Sequence, residues 1–257
     1  MNQVTRAETT DAAWKGLYRV GGAAALIAAV IFRRWLGAEL LLLRSIGIIS
    51  FGPIPEPSSV IDWFTLLQTN RLIGLTLLNF FDIVNYALVG LMFLGLYAAL
   101  RRAKSSMTLA TTLGFVGIAV YFASNQALSM LSLSDQYAAA TTDAQRSMFL
   151  AAGQAMLTMN NFSQGGTGIC MSFLLVTLAG LIISTVMLRS NIFSKVTAYV
   201  GILANGFGLG SFITLAFAPP MTFIPLSASA PFLLIWYILI ARRLLQLGSG
   251  TLKGEAQ

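Results

Sequence analysis

The chain has 257 residues, of which 56% are hydrophobic and only 10% are charged, and its mean hydropathy is +0.77. Because a soluble domain carries about 25% charged residues, this composition excludes an ordinary soluble protein and predicts a membrane protein. The formal net charge of +7 comes from basic residues beside apolar segments, where they orient the chain and contact lipid head groups. No basic patch with interleaved aromatics is present, so nucleic-acid binding is not expected.

The residue types that are missing exclude several chemistries. The chain contains no histidine, which excludes His-ligated haem and copper, a Ser-His-Asp triad and a His proton relay. No lysine lies inside an apolar segment, so neither a mid-helix Schiff base nor a Ser-Lys dyad is expected. Asp82 is the only acid within any predicted membrane span, whereas an intramembrane aspartyl protease needs two facing aspartates. We therefore predict no cofactor and no metal site, and an enzyme is the least favoured class.

Six apolar segments, each near the ~20 residues that cross a bilayer, predict an all-α polytopic bundle of six transmembrane helices. No polar block of domain size interrupts them, so residues 1–257 are expected to form a single membrane domain. The second segment is longer than one crossing requires and must tilt or protrude. The predicted spans are 16–32, 72–100, 107–131, 166–188, 196–218 and 222–241.

Two connecting regions are predicted to form amphipathic helices at the membrane surface. The first covers residues 35–70 and contains Ser59-Val-Ile-Asp62, a capping-box pattern that would start a short helix. The second covers residues 135–161, where Thr142-Asp-Ala-Gln145 is a similar pattern. Apolar residues then recur at helical spacing, which predicts a helix lying over the outer mouth of the bundle, namely Met148, Phe149, Ala152 and Met156.

The distribution of charges predicts the orientation. With the N-terminus inside, 11 of the 16 basic residues lie on the cytoplasmic side and six of the nine acids lie outside or near it. This asymmetry favours cytoplasmic N- and C-termini. All four tryptophans fall near predicted interfaces, as in an ordinary aromatic belt: Trp14, Trp35, Trp63 and Trp236.

Three segments of the sequence resemble a known protein family. They are LYRVGG at 17–22, the run from WFTLLQTNRLIG to LGLYAALRR at 63–102, and SDQYAAATTDAQRSMFLAAGQAML at 134–157. Together they resemble a bacterial family of six-span membrane proteins that is known only as a domain of unknown function. The resemblance implies the same topology and a location in the bacterial cytoplasmic (inner) membrane, and it implies no activity or substrate.

Polar residues of several spans are predicted to gather at one height. Asn79, Asp82 and Asn85 are spaced three apart, which places them on one face of a helix. Counting about 1.5 Å per residue from the inner ends, Asp82 lies about 27 Å and Asn125 about 29 Å up a hydrocarbon core of about 30 Å. Gln126 and Gln164 fall at the same level, and Arg71 and Arg146 are candidate ion-pair partners for Asp82.

Two functions remain open. In the first, these residues line an outward-facing pocket that binds or transports a small solute or a lipid head group, with Asp82 as the charged contact and Asn79, Asn85, Asn125, Gln126 and Gln164 as hydrogen-bonding groups. In the second, the protein is a non-catalytic structural or accessory subunit that associates through small-residue faces at Gly114 and Gly117, as a homo-oligomer or in a membrane complex. The Gly-rich fifth span is interpreted as a surface for close helix packing.

Overall fold

The computed structural model describes residues 14–32, 57–159 and 166–250, and the regular structure in these ranges is helical throughout. The helices are α1 (Trp14–Phe32), α2 (Val60–Thr69), α3 (Arg71–Leu77), α4 (Phe80–Ala99), α5 (Lys104–Ser124), α6 (Ala127–Ala139), α7 (Asp143–Met159), α8 (Thr167–Leu188), α9 (Lys195–Phe217) and α10 (Phe223–Ser249). A short 3-10 helix, Pro219–Met221, precedes α10.

Within the residues that the structure describes, six helical segments are long and apolar enough to cross a membrane. They are Trp14–Phe32, Phe80–Ala99, Ser105–Ala139, Thr167–Leu188, Lys195–Phe217 and Pro219–Ser249. The predicted all-α bundle with six transmembrane helices is therefore confirmed. The first, fourth and fifth spans begin and end close to the predicted residues.

The second and third spans differ from the prediction because each is interrupted. The second breaks at Leu78 and Asn79, so α3 is separate from α4. Asn79 adopts a left-handed conformation with φ of 59°, which an α-helix cannot include and which asparagine tolerates better than most residues. The third breaks at Asn125 and Gln126, after which α6 continues to Ala139 instead of ending near residue 131.

The sixth span is also longer than predicted. It was expected to end at Arg242 and Arg243, but α10 continues to Ser249 and ends at Gly250, a left-handed C-cap with φ of 72°. Arginine is a good helix former and its long side chain reaches water from a helix, so a pair of arginines marks a membrane boundary without ending the helix. The glycine is the residue that ends it.

The chain divides into two compact units. The first unit comprises Met1–Gly37, Ala87–Val116 and Leu174–Gln257, and the second unit comprises Ala38–Tyr86 and Gly117–Phe173. In the first unit α9 packs along α10, and the core contains Phe93, Met107, Ile183, Trp236 and Leu244 among others. In the second unit α2, α3, α6 and α7 pack around Val60, Trp63, Phe64, Leu67, Leu78, Ala127 and Met130.

Two tryptophans do not form the predicted aromatic belt. Trp63 is 5% exposed and Trp236 is 1% exposed, each inside the core of its unit. Gly201 of α9 makes room for Trp236, because a Cβ atom at this position would meet the indole and the Ser184 hydroxyl. The Gly-rich span thus does serve close packing at Gly201, whereas Gly206 has no neighbour within 4 Å of such an atom.

Both capping boxes predicted from the sequence form. The Ser59 hydroxyl accepts a hydrogen bond from the Asp62 amide at 3.2 Å, while the Asp62 carboxylate accepts one from the Ser59 amide at 3.1 Å. At the start of α7 the Gln145 amide donates to the Thr142 hydroxyl, and the Gln145 side chain accepts from the Thr142 amide, both at 3.3 Å. Helices therefore follow spans one and three as expected, and their location at the membrane surface stays a prediction. Residues 35–56 and 160–161 lie outside the described residues.

The face of α7 that packs in the second unit is close to the predicted one. Phe149 and Met156 pack against the core of that unit, and Gly153 is buried against Val60 and Phe64. Met148, predicted on the same face, is instead 58% exposed.

Basic residues of the first unit meet at one end of its helices. The Arg19 guanidinium donates to the Gly248 carbonyl at 3.1 Å, so the start of α1 lies beside the end of α10. The Arg101 guanidinium lies 5.6 Å from the centre of the Trp14 ring, which adds the end of α4. Arg243 donates to the Ile192 carbonyl, which adds the connection between α8 and α9. We call this region the cationic end.

Candidate functional site

The two helix breaks of the second unit are hydrogen-bonded to each other. The Asn79 carbonyl accepts one bond from the Asn125 side-chain amide and one from the Tyr121 hydroxyl, both at 3.2 Å. The Asn125 amide oxygen accepts from the Ala127 amide at 3.2 Å, at the start of α6. Asn125 therefore bonds to one backbone group at each break, the Asn79 carbonyl, which also accepts from the Asp82 amide, and the Ala127 amide. Irregular backbone in a membrane requires such partners.

Asp82 lies in the first turn of α4, directly after the first break. It is half-buried, and its carboxyl group interacts with the Tyr121 hydroxyl. The partial positive charge at a helix N-terminus favours a carboxylate at this position. Tyr121 thus joins Asp82 of α4 to the Asn79 carbonyl.

The predicted ion-pair partners of Asp82 are engaged elsewhere or do not reach it. Arg71 forms an ion pair with Asp135 at 2.8 Å, between side chains that are 61% and 48% exposed. No ion pair joins Arg146 to Asp82, both of which the structure describes. Neither arginine described in the second unit therefore pairs with Asp82.

Two tyrosines connect Asp82 to neighbouring helices. The rings of Tyr86 and Tyr121 stack with their centres 4.0 Å apart and their planes within 5°. The Tyr86 hydroxyl lies near the buried Ser172 hydroxyl of α8, without a hydrogen bond of good geometry. Helix α8 approaches α5 closely at Gly168, where a Cβ atom would overlap that of Ser124. The second-unit ends of α4, α5 and α8 thus meet around these rings.

Two amide oxygens in this region are buried without a hydrogen-bond partner. They belong to Asn85, one turn after Asp82 on α4, and to Gln126, which is 7% exposed at the second break. A buried polar atom left unpaired costs about 1–3 kcal/mol, so native proteins rarely retain one without a reason. Because both atoms are carbonyl oxygens, the missing partner must be a hydrogen-bond donor or a cation.

We call this group the polar cluster and define it as Asn79, Asp82, Asn85, Tyr86, Tyr121, Asn125, Gln126 and Ser172. Five of the six residues that the sequence singled out belong to it, and Gln164 lies outside the described residues. Asn79 contributes its backbone carbonyl from outside the helix, so the prediction that it shares a helical face with Asp82 and Asn85 is wrong.

The site residues predicted from the sequence do not include Tyr86 or Ser172. Tyr86 could have been found, because it follows Asp82 by four residues and so lies on the same side of α4. Ser172 carried no comparable signal. Among the described residues, no three His, Cys, Asp or Glu side chains lie close enough to hold a metal ion.

No known protein family, curated protein or solved structure matches the chain.

Proposed function

We propose that this integral membrane protein binds a small cationic solute, a protonated amine or a monovalent cation, at the polar cluster. The observation that carries the proposal is the combination of one carboxyl group, Asp82, with the unpaired amide oxygens of Asn85 and Gln126. All three groups accept hydrogen bonds when Asp82 is ionised. A protonated amine or a monovalent cation is a suitable partner for each of them.

The paired helix breaks support a binding role. Interrupted helices expose backbone groups within the membrane, and transporters use such points to hold substrates and ions. Here the Asn79 carbonyl already accepts three hydrogen bonds, from the Tyr121 hydroxyl, the Asn125 side-chain amide and the Asp82 backbone amide, so the breaks are held in place before any solute binds. A site of this kind needs little reorganisation on binding. Transport of the bound solute across the membrane is the further step that we propose.

We also propose that the cationic end faces the cytoplasm, because basic residues accumulate on that side of a membrane. Asp82 lies in the first turn of α4 and Arg101 follows its last turn, so Asp82 would then be at the outer end of this helix. Both chain termini would be cytoplasmic. The resemblance to a bacterial family, and with it the inner-membrane location, stays a prediction.

One argument for the alternative function, a structural or accessory subunit, does not hold. It depended on Gly114 and Gly117 as a face for a partner helix. A Cβ atom at Gly114 would overlap the Phe93 ring of the same chain and would lie 3.5 Å from Ala179. Gly114 is therefore used for packing within the first unit.

The proposal is tested with Asp82→Asn and with Asp135→Asn as the matched control, since Asp135 is a surface acid paired with Arg71. The purified full chain in detergent is titrated with sodium, ammonium, ethanolamine and choline, and thermal unfolding is followed. We expect at least one of these cations to stabilise the wild type and the control, and not Asp82→Asn. Choline, which has no N–H donor, should be weaker than ethanolamine.

Far-UV circular dichroism should show that Asp82→Asn keeps its helical structure. If every cation that stabilises the wild type stabilises Asp82→Asn equally, the carboxyl group does not bind the solute. If none of the four stabilises the wild type at any concentration, the acceptor-rich cluster is not a cation site and the proposal fails.

A further inference from the structure

The described part of the first unit contains nine basic residues and no acid. These residues are Lys15, Arg19, Arg101, Arg102, Lys104, Arg189, Lys195, Arg242 and Arg243. The four acids in the described ranges, Asp62, Asp82, Asp135 and Asp143, all belong to the second unit. The described residues of the first unit therefore supply no carboxylate to neutralise the cationic end.

A cleft of about 370 Å³ opens at this end. It lies where the connection between α8 and α9 meets the last turns of α10, and its polar lining consists of Asn191, Ser194, Thr197, Arg242, Arg243 and Gln246. Every polar group in this set is a hydrogen-bond donor or can act as one, and two of the six are permanent cations.

Arg243 is held in place by hydrogen bonds that use only some of its N–H donors. Its Nε donates to the Ile192 carbonyl, and one terminal nitrogen donates to the Gln246 side chain at 3.5 Å. These bonds use two of the five N–H donors of the guanidinium group, and the planar fork suits a phosphate or carboxylate. Arg242, the neighbouring residue, is exposed at the same cleft.

The start of α9 forms the opposite wall. The Ser194 hydroxyl caps this helix, accepting a hydrogen bond from the Thr197 amide at 3.2 Å and lying 2.9 Å from the Thr197 hydroxyl. The partial positive charge of the helix N-terminus therefore adds to that of the two arginines. A single anion between these walls would contact charges on both sides.

We propose that this cleft binds a phosphate group, carried by the head group of an anionic phospholipid. The cationic end would lie at the membrane surface, where acidic lipids present phosphate at the depth of the helix ends. Free inorganic phosphate has the same chemistry and would fit the same donors, so the experiment includes both sources. This site is separate from the polar cluster and does not depend on the function proposed for it.

The test compares Arg242→Gln/Arg243→Gln with Arg102→Gln/Arg189→Gln in the full chain. Both double variants remove two positive charges at the cationic end, but only the first changes the cleft, and Arg102 and Arg189 are both exposed. Binding of short-chain phosphatidylglycerol is measured against phosphatidylcholine in detergent, with inorganic phosphate as a separate arm. We expect the cleft variant to lose roughly fivefold in affinity for phosphatidylglycerol for each arginine removed, and the control much less.

Since Arg243 also holds the connection between α8 and α9, two further variants keep the proposal testable if the double variant does not fold. Arg242→Gln changes only the exposed arginine, and Asn191→Asp places a negative charge in the cleft without changing either arginine. Each should weaken the binding of phosphatidylglycerol. If the same variants also lose binding of inorganic phosphate, this loss supports the phosphate site. It also shows that a free anion competes with the lipid for the cleft.

Two results would overturn the proposal. The first is equal weakening by the cleft and control variants, since the effect would then come from total charge and not from the cleft. The second is a preference for phosphatidylglycerol over phosphatidylcholine that persists unchanged in both Arg242→Gln and Asn191→Asp.

Discussion

Gly168 allows α8 to approach α5 beside the polar cluster, and Gly168→Ala is the most direct test of that contact. A Cβ atom at residue 168 would overlap the Cβ of Ser124 and would lie 2.7 Å from its hydroxyl oxygen. A Cβ position is determined by the backbone, so no rotation of a side chain relieves the overlap. The two helices must move apart by about 1 Å to reach ordinary contact distance.

The expected magnitude follows from two opposing effects. Adding a methyl group to a filled contact typically costs about 1–3 kcal/mol. Replacing a helical glycine with alanine recovers up to about 1 kcal/mol, and less near a helix end such as Gly168. We therefore expect Gly168→Ala to lower the free energy of unfolding by about 1–2 kcal/mol. Separation of α5 from α8 should also weaken solute binding at the polar cluster.

The assay is reversible unfolding in mixed micelles, followed by circular dichroism. Gly206→Ala is the control, because it also replaces a helical glycine but has no neighbour within 4 Å of the added atom. It should leave stability unchanged or raise it slightly. Ser124→Gly should restore stability to Gly168→Ala, with a coupling energy of at least about 1 kcal/mol in the double-mutant cycle. If Gly168→Ala is as stable as Gly206→Ala, or if Ser124→Gly rescues nothing, α5 and α8 do not touch at Gly168.

Two other predictions concern local conformation and charge. Asn79→Gly should keep the free energy of unfolding within a few tenths of a kcal/mol of the wild type. Asn79→Ala should lower it by about 1–2 kcal/mol, because φ of 59° is unfavourable for alanine. Equal stability of the two variants, measured in the same micelles, would contradict the helix break. The hydroxyls of Ser59 and Ser58 hold the pKa of Asp62 below its ordinary value of 3.8. The stabilisation of α2 by this carboxylate should therefore be complete above that value and disappear as pH falls through the lower pKa of the folded state. The free energy of unfolding, measured against pH, should differ between the wild type and Asp62→Asn by a constant amount above about pH 5 and by a shrinking amount below about pH 4. If this difference in free energy instead grows in acid, the pKa of Asp62 is not lowered in the folded state.

The helix breaks show why part of the candidate site could not be predicted from the sequence. Residues 75–81 read Leu-Thr-Leu-Leu-Asn-Phe-Phe, an apolar run with neither proline nor glycine, so its pattern predicts an uninterrupted helix. The break is stabilised by Tyr121 and Asn125, which lie more than 40 residues away along the chain. A local sequence pattern does not indicate a hydrogen-bond partner that is so distant along the chain.

Burial gives a second example. Trp63 and Trp236 lie near the ends of apolar segments, where tryptophan usually contacts the membrane interface, and both are instead enclosed by their own units. Whether a residue at a given depth faces lipid or protein depends on which helices are its neighbours. For Trp236 the decisive feature is Gly201 on α9, whose missing side chain leaves the space that the indole occupies.

The sequence by itself determined the helical membrane class, the number of spans and both capping boxes, because each depends on hydrophobicity or on hydrogen bonds within a few residues. It also placed Asp82 and Asn125 at similar heights, since the rise of a helix converts residue number into depth. Only the tertiary structure decided that the chain interrupts two spans and joins the breaks, that Tyr86 stacks on Tyr121, and that Arg242 and Arg243 share a cleft with the start of α9. These features depend on contacts between residues that are distant in sequence, and such contacts exist only when the helices are packed.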